Sequence, residues 1–326
     1  MKPNNLGKYS WLVALIAAIS CSNPSSQSDQ KQTRELDIAK IEQTLGMKGT
    51  TKEKEYKVTV AQNDLNVIVD SFKIIPPMGL GSWAAFTASP DGAMVMGDII
   101  ITETDLKPVE EEVIKQGLTV TAIHNHFVRD KPHVMYMHIG GMDTEEKLAT
   151  AVKAVFEKVK EVRGMNPADG KKDSVQNSLD TDKLDNILGV KKGEMSRGVY
   201  KHTIGRPDVS LKDHDASVST FLGFNTWAAW QGTPEHAAVA GDFAMLENEV
   251  APVIKALIEN GIEVVAVHNH MVHEEPRIIF LHYWGVGAAE KLVQGLKAAL
   301  DQTGKDKSKT TTATIFPQIT EVICKN

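Results

Sequence analysis

Three histidines recur twice at the same spacing: His124, His126 and His138, then His268, His270 and His282, each 144 residues further on. His124 and His126 end the apolar run Thr119-Val120-Thr121-Ala122-Ile123, and His268 and His270 end Val264-Val265-Ala266-Val267. In an extended strand, residues two apart project to one face, so each pair points the same way, with Ile123 and Phe127, or Val267 and Met271, turned toward a core. The third histidine lies on the next apolar run, after a break holding Pro132 or Pro276. A hairpin centred near Lys131 sets His138 opposite His124, and one centred near Glu275 sets His282 opposite His268. Directly paired residues share a face with Cβ atoms about 5 Å apart, so three imidazoles of each repeat are expected to converge.

Imidazole suits divalent transition metals such as zinc, and three histidines that leave a coordination position open form a known catalytic arrangement. A carboxylate can complete the set. Asp98 and Asp242 each follow a glycine on the neighbouring strand, and Glu103 and Glu247 stand where the next helix begins. The plainer reading of those glutamates is stabilisation of the helix dipole, and that of the aspartates is a turn or hydrogen-bonding role. For the histidines it is a satisfied polar network between repeats. Tyr283, Trp284 and Arg277 flank the second cluster and are candidates for holding a ligand, where the first copy has Ile139 and Gly140. Copy two is therefore expected to be the better-equipped site, although Tyr283 and Trp284 suit an interface core equally well. Trp83, Trp227 and Trp230 sit on small-residue strands and read as core.

The elements that must position these residues are duplicated too. From Tyr56 to Leu148 the chain matches itself without a gap: Tyr56-Lys57 with Tyr200-Lys201, Trp83-Ala84-Ala85 with Trp227-Ala228-Ala229, Gly97-Asp98 with Gly241-Asp242, and Glu146-Lys147-Leu148 with Glu290-Lys291-Leu292. Period and punctuation predict a helix over 36–45 ended by Gly46, strands over 56–60, 67–69, 82–87 and 93–102, a helix over 103–116 stopped by Gly117, the two histidine strands, and a helix over 144–162. The expected class is α+β: two pseudo-symmetric repeats, each an antiparallel β-sheet with helices packed on one side, with a ferredoxin-like β-α-β-β-α tail. The expected division is a leader over 1–21, a flexible tether over 22–34, repeat 1 over 35–163, a linker over 164–178, repeat 2 over 179–301, and a polar tail over 302–326 with strand-like composition near its end.

At 326 residues, 42% hydrophobic and 24% charged, with a formal charge of −6, the composition is that of a globular protein. No basic stripe or arginine-rich run is present, which argues against a nucleic-acid partner. Lys2 and Lys8 precede the apolar run 11–19, the layout of a secretory signal peptide too short to span a bilayer. Ala18-Ile19-Ser20-Cys21 resembles a bacterial lipobox, which makes Cys21 the expected lipidation site. The membrane is then the expected partner outside the cytoplasm, the outer membrane in a Gram-negative host because Ser22 follows. Cys21 and Cys324 are the sole cysteines, too few for a thiolate zinc site.

His268-Asn269-His270-Met271, Glu275-Pro276-Arg277 and His282-Tyr283-Trp284-Gly285, preceded by Gly241-Asp242 and by Glu247-Asn248-Glu249-Val250, resemble the LppY/LpqO family of bacterial lipoproteins over most of residues 36–301. The resemblance implies an exported, lipid-anchored, two-repeat protein and carries no activity with it. The expected function is binding of a divalent metal or small ligand through the duplicated hairpin. The alternatives are a metal-dependent hydrolase, with Glu247 or Asp242 as further ligand or general base, and a structural envelope lipoprotein with a buried histidine network.

Overall fold

The computed structural model describes residues 34–304 together with Met1. The expected leader with Cys21, the expected tether as far as residue 33 and the tail from 305 on lie outside the described residues. Among the described residues no helix is long and apolar enough to cross a membrane.

The first repeat runs α1 (Ile38–Leu45), β1 (Thr50–Lys52), β2 (Glu55–Ala61), β3 (Ile68–Val69), β4 (Phe72–Lys73), β5 (Gly81–Ser89), β6 (Gly92–Thr102), α2 (Leu106–Lys115), β7 (Thr119–His124), β8 (Val134–Asp143) and α3 (Glu145–Arg163). The second runs α4 (Thr181–Leu188), β9 (Glu194–Ser196), β10 (Val199–Gly205), β11 (Lys212–Asp213), β12 (Ala216–Ser217), β13 (Asn225–Gly232), β14 (Ala237–Leu246), α5 (Val250–Glu259), β15 (Glu263–His268), β16 (Glu274–Glu275), β17 (Ile278–Gly287) and α6 (Ala289–Leu300). Two six-stranded antiparallel sheets result, ordered β1-β2-β5-β6-β8-β7 and β9-β10-β13-β14-β17-β15. The order is the same in both, as the duplication requires. In each, a helix carries the chain past one strand position, which the following strand then fills, a split β-α-β arrangement.

Alternation along the strands separates two cores. Tyr56, Val58, Phe86, Val95, Met137 and Ile139 point to the face covered by α1 and α3, where α3 lays down Leu148, Val152, Val155 and Val159 at helical spacing. Thr144 caps that helix by accepting from the Lys147 N–H, and Gly164, at φ 69°, ends it in the left-handed conformation that favours glycine. The second repeat repeats this core with Tyr200, Trp230, Val239 and Tyr283 against α4 and α6.

The opposite faces of the two sheets pack toward each other. The connection over 62–80 contributes Val67, Ile74 and Met78 to a cluster with Ala229, Ala240 and Trp284 of the other repeat. The matching connection over 206–224 contributes Leu211, Leu222 and Phe224 to a cluster with Ala85, Met94 and Met96 of the first. Each repeat therefore packs its own long connection against its partner's inner face.

In the first repeat the second helix begins later than its glutamate suggests, whereas in the second a 3-10 turn over Glu247–Glu249 leads straight into α5. Thr102 to Asp105 forms a turn in which the Asp105 carboxylate accepts from the Thr102 N–H at 3.0 Å, and α2 starts only at Leu106. Glu249 does the same for Leu246 at 2.8 Å before α5. Asp105 is held by Arg163 at 2.7 Å, and Glu249 by a two-pronged pair with Arg206 at 2.7 and 3.0 Å. Arg206 and Glu249 are both buried, so Arg206→Leu leaves a carboxylate without its cation in a water-poor place. A loss of roughly 3–5 kcal/mol in unfolding free energy is expected from urea denaturation, and a variant within about 1 kcal/mol of wild type would refute that role.

Candidate metal centre between the repeats

Register builds the site first. Across the first sheet Trp83 pairs with Asp98, Asp98 with His138, and His138 with Ala122. Across the second, Trp227 pairs with Asp242, Asp242 with His282, and His282 with Ala266. All of these face the space between the sheets.

The hairpins are centred one residue earlier than expected. His124 pairs with Tyr136, not His138, and His268 pairs with Phe280, not His282. The loop is organised by Asp130, whose carboxylate accepts from the Val134 N–H at 2.7 Å and meets His133 Nδ1 at 3.0 Å. Glu274 accepts from the Ile278 N–H in the equivalent place. Moving the turn centre by one residue moves each partner by two, so the third histidine stays on the right face but is staggered along the strand. Ile123 and Val267, expected to face a core, are exposed on the edge strands β7 and β15. Phe127 and Met271 are buried as expected.

The two sets of three close on each other. His124 stacks on His268 with ring centroids 3.9 Å apart, His126 meets His282 at 3.7 Å, and His138 meets His270 at 3.9 Å. Imidazoles of the same repeat stand 4.7 to 5.2 Å apart where they meet. The nearest imidazole neighbour of every ring thus belongs to the other repeat, and the two expected sites are one site. Thr121 Oγ1 donates to the His270 carbonyl at 2.7 Å, and Asn269 Nδ2 to the Thr121 carbonyl at 3.0 Å, tying the histidine edges together.

Three groups of donor atoms lie within 4.8 Å of one another: His124, His138 and His268; His124, His126 and His282; and Asp242, His268 and His270. The carboxylates sit beside them, with Asp98 Oδ2 3.6 Å from His126 Nε2 and Asp242 Oδ2 3.4 Å from His270 Nε2. His138 and His282 direct Nδ1 at the Gly97 and Gly241 carbonyls, 3.1 and 3.0 Å away. A carbonyl oxygen only accepts, so Nδ1 carries the proton and Nε2 keeps its lone pair toward the centre. Tyr136 and Phe280 form the outer walls, stacked on His126 and His270 at 3.4 Å.

All six histidines are buried. Burial holds their pKa values down, reinforced for most by neighbouring imidazoles: His138 falls to about 4, His282 to about 3, and the other four well below the usual value. They are therefore neutral at pH 7. Burial also raises the Asp98 carboxyl to about 8 and Asp242 in the same direction. Nine ring nitrogens of the cluster have no hydrogen-bond partner among the described residues: both of His124, His126 and His268, Nε2 of His138 and His282, and Nδ1 of His270. Folded proteins rarely leave buried polar atoms unpaired, because each costs about 1–3 kcal/mol. A donor set of neutral imidazole and carboxylate around one point fits a divalent transition metal on chemical grounds.

The remaining sequence candidates stand elsewhere. Glu103 and Glu247 are exposed beyond the strand ends, outside the cluster. Tyr283 points to the helix side of its sheet, where its hydroxyl donates to the Trp227 carbonyl at 3.0 Å, because it is one residue from His282 on an alternating strand. Trp284 lies in the inter-sheet core and donates to Asp70 at 2.9 Å. Arg277, itself exposed, reaches the buried Glu274 carboxylate at 3.6 Å. The second repeat is thus no better equipped than the first, since both give the same three histidines and one aspartate. Trp230 is buried as expected, whereas Trp83 and Trp227 are partly exposed. Sequence reading passed over Lys57, Lys201, Tyr136 and Phe280. The available signal was alternation: Tyr56 and Tyr200 go to the helix side, which puts the lysines beside them on the histidine side. A cleft of about 160 Å³ lined by Leu45, Val60, Gln62 and Phe156 lies away from the histidines.

Fold and site together define a two-repeat α+β protein with a single histidine-carboxylate centre shared by its halves. Residues 39–158 and again 182–302 match the profile of the family described as Domain of Unknown Function (DUF1259), and the chain belongs to that family. A search of curated proteins finds no match. Among solved structures the chain is similar to EtuB from Clostridium kluyveri (8% identity, 78% of this chain and 88% of that one, TM-score 0.19). It is also similar to the fused permuted hexameric shell protein MSM0275 from the RMM microcompartment (11% identity, 76% and 94%, TM-score 0.20). A third is the trimeric bacterial microcompartment shell protein PduB (10% identity, 78% and 89%, TM-score 0.18). Superpositions this loose carry no argument about function.

Proposed function

We propose that this chain is an exported, lipid-anchored protein whose two repeats jointly hold two divalent transition-metal ions, zinc foremost. The observation that carries the reading is the set of nine partnerless nitrogens on six buried, neutral imidazoles. Two of the donor groups share no residue: His124, His126 and His282, and Asp242, His268 and His270. Equivalence of the repeats adds Asp98 to the first and His138 to the second, four donors each, the number tetrahedral zinc takes. Both sets draw on both repeats, so bound ions would cross-link the halves. A purely structural histidine network calls for paired nitrogens, and the orphaned ones speak against it.

Export and anchoring rest on the leader, the lipobox at Cys21 and the resemblance to LppY/LpqO lipoproteins. Elemental analysis of protein purified without a histidine tag is expected to return about two ions per chain. Fewer than half an equivalent after incubation with zinc and desalting would sink the metal reading. For the anchor, Cys21→Ala is expected to move the protein from the membrane to the soluble fraction of its native host, and an unchanged distribution would rule it out.

A further inference from the structure

Outside the six-histidine cluster, two further histidines meet at the surface of the second repeat. β11 and β16 pair antiparallel with Lys212 opposite Glu275 and Asp213 opposite Glu274, so one step further along His214 comes opposite His273. Their ring centroids are 4.7 Å apart in an edge-to-face arrangement, and both residues are exposed. Asp213 Oδ1 lies 3.2 Å from His214 Nδ1. A carboxylate accepts, so that nitrogen carries the proton and Nε2 of His214 keeps its lone pair for another partner.

The first repeat shows what this position does. Ile68 and Lys131, the equivalents of Lys212 and Glu275, exchange backbone hydrogen bonds of 3.0 Å in both directions. Asp70 and Arg129, each 144 residues before His214 and His273, form a two-pronged ion pair with both contacts at 2.9 Å. Asp70 and His214 also share a left-handed backbone, at φ 46° and 51°, which a residue with a side chain keeps only where its surroundings hold it. In the first repeat the ion pair supplies that hold, clamping the hairpin of β3 and β4 to the loop that follows His126. The second repeat has the same backbone pairing, but an imidazole stands in place of each charged group, and two imidazoles cannot make that salt bridge with each other.

One divalent cation between the rings restores the clamp. Zinc takes imidazole nitrogen at about 2.0–2.1 Å, which sets two rings on one ion with centres about 5 Å apart, close to the spacing found here. A carboxylate on the far nitrogen of a ligating imidazole is the usual support of such a ligand, and Asp213 is in that place. We infer that His214 and His273 form a further transition-metal site, at the surface, with Asp213 orienting His214 and water completing the coordination. Two protein ligands and open water positions make it a site that fills and empties with free metal, and filling it ties the hairpin of β11 and β12 to the loop that follows His270. It shares no residue with the central cluster and does not depend on metal being bound there.

Calorimetric titration of zinc into the full untagged chain, first incubated with zinc and then desalted, tests this. Wild type is expected to take up one further ion per chain saturably. His214→Ala and His273→Ala should each bind it roughly 100-fold more weakly, and Asp213→Asn roughly tenfold, as expected for loss of a hydrogen bond that supports a ligand. His214→Asp/His273→Arg installs the ion pair of the first repeat and should keep the melting temperature of wild type while losing the further ion. Should that exchange variant fail to fold, judged by circular dichroism, the single alanine variants decide. Absence of a further saturable ion in wild type, or uptake unchanged in the variants at 214 and 273, overturns the assignment. An event that disappears in His124→Leu/His268→Leu but not in those variants belongs to the central cluster and overturns it as well. Uptake that is lost in His214→Ala, in a chain that retained no zinc through desalting, upholds the surface site while counting against the central metal reading alone.

Discussion

Replacing His124 and His268 together by leucine is expected to weaken metal uptake sharply and yet to leave the metal-stripped protein as stable as wild type or more so. The two rings stack on each other at the centre of the cluster and together belong to all three donor groups. Their four nitrogens are all without partners among the described residues. Loss of one ligand from each ion leaves three donors, so zinc is held more weakly and stabilises the fold less. At free zinc 1,000 times its dissociation constant that stabilisation is about 4 kcal/mol per ion by mass action. In the absence of metal the sign reverses, because leucine of similar size removes buried polar atoms that had nothing to bond. A gain of up to about 1–3 kcal/mol per site is expected. Thermal melts with and without zinc read both effects. A metal-free variant that melts well below wild type would mean that the imidazoles bond to one another or to water as a structural network, and the metal reading would lose its main support.

Acid should act on the same atoms. A histidine whose folded pKa lies below its unfolded value near 6.5 binds its proton more weakly in the folded chain. Its stabilising contribution is complete above about 6.5 and is lost as pH falls, down to about 4 for His138 and about 3 for His282. Asp98, raised to about 8, and Asp242, raised likewise, work in the opposite sense and gain stability as pH falls through this window. Six imidazoles against two carboxyls leave a net uptake of about four protons on unfolding (6 − 2 = 4). Each net proton is worth about 1.4 kcal/mol per pH unit, so the metal-free protein is expected to destabilise steeply between pH 6.5 and 4.5. Metal competes with protons for the same lone pairs, so loaded protein should release its ions in that range. Melting temperature followed from pH 7.5 to 4.5, with a zinc-sensitive dye in parallel, checks this. A metal-free melting temperature that stays level across the range would show that these imidazoles are not buried as neutral bases.

Much of the architecture was legible in residue order. Gly46 and Gly189 end α1 and α4 where the pattern stops, at φ 72° and 68°. Thr144 caps α3, and β5 and β6 fall within two residues of their expected bounds. The later start of α2 was not legible, because Asp105 takes the turn through Arg163, which is 58 residues away. The hairpin centre escaped for a similar reason: the Asp130 and Glu274 side chains, rather than the prolines, close the loops.

By itself the sequence determined that there are two copies of one unit, that His124 and His138 stand on strands whose alternation sets their face, and that Asp98 stands on the neighbouring strand, whereas His126 lies in the bend just past the end of its strand. These are local consequences of period and spacing. Only the tertiary structure decided that two sets of three histidines form one centre and that Glu103, Glu247 and Tyr283 stand outside it. That outcome depends on how two sheets face each other. The facing is set by the connections over 62–80 and 206–224, whose apolar side chains pack against the opposite repeat. Contacts of that kind have no period along the chain, so residue spacing within one repeat could place its imidazoles on a face but not name their partners.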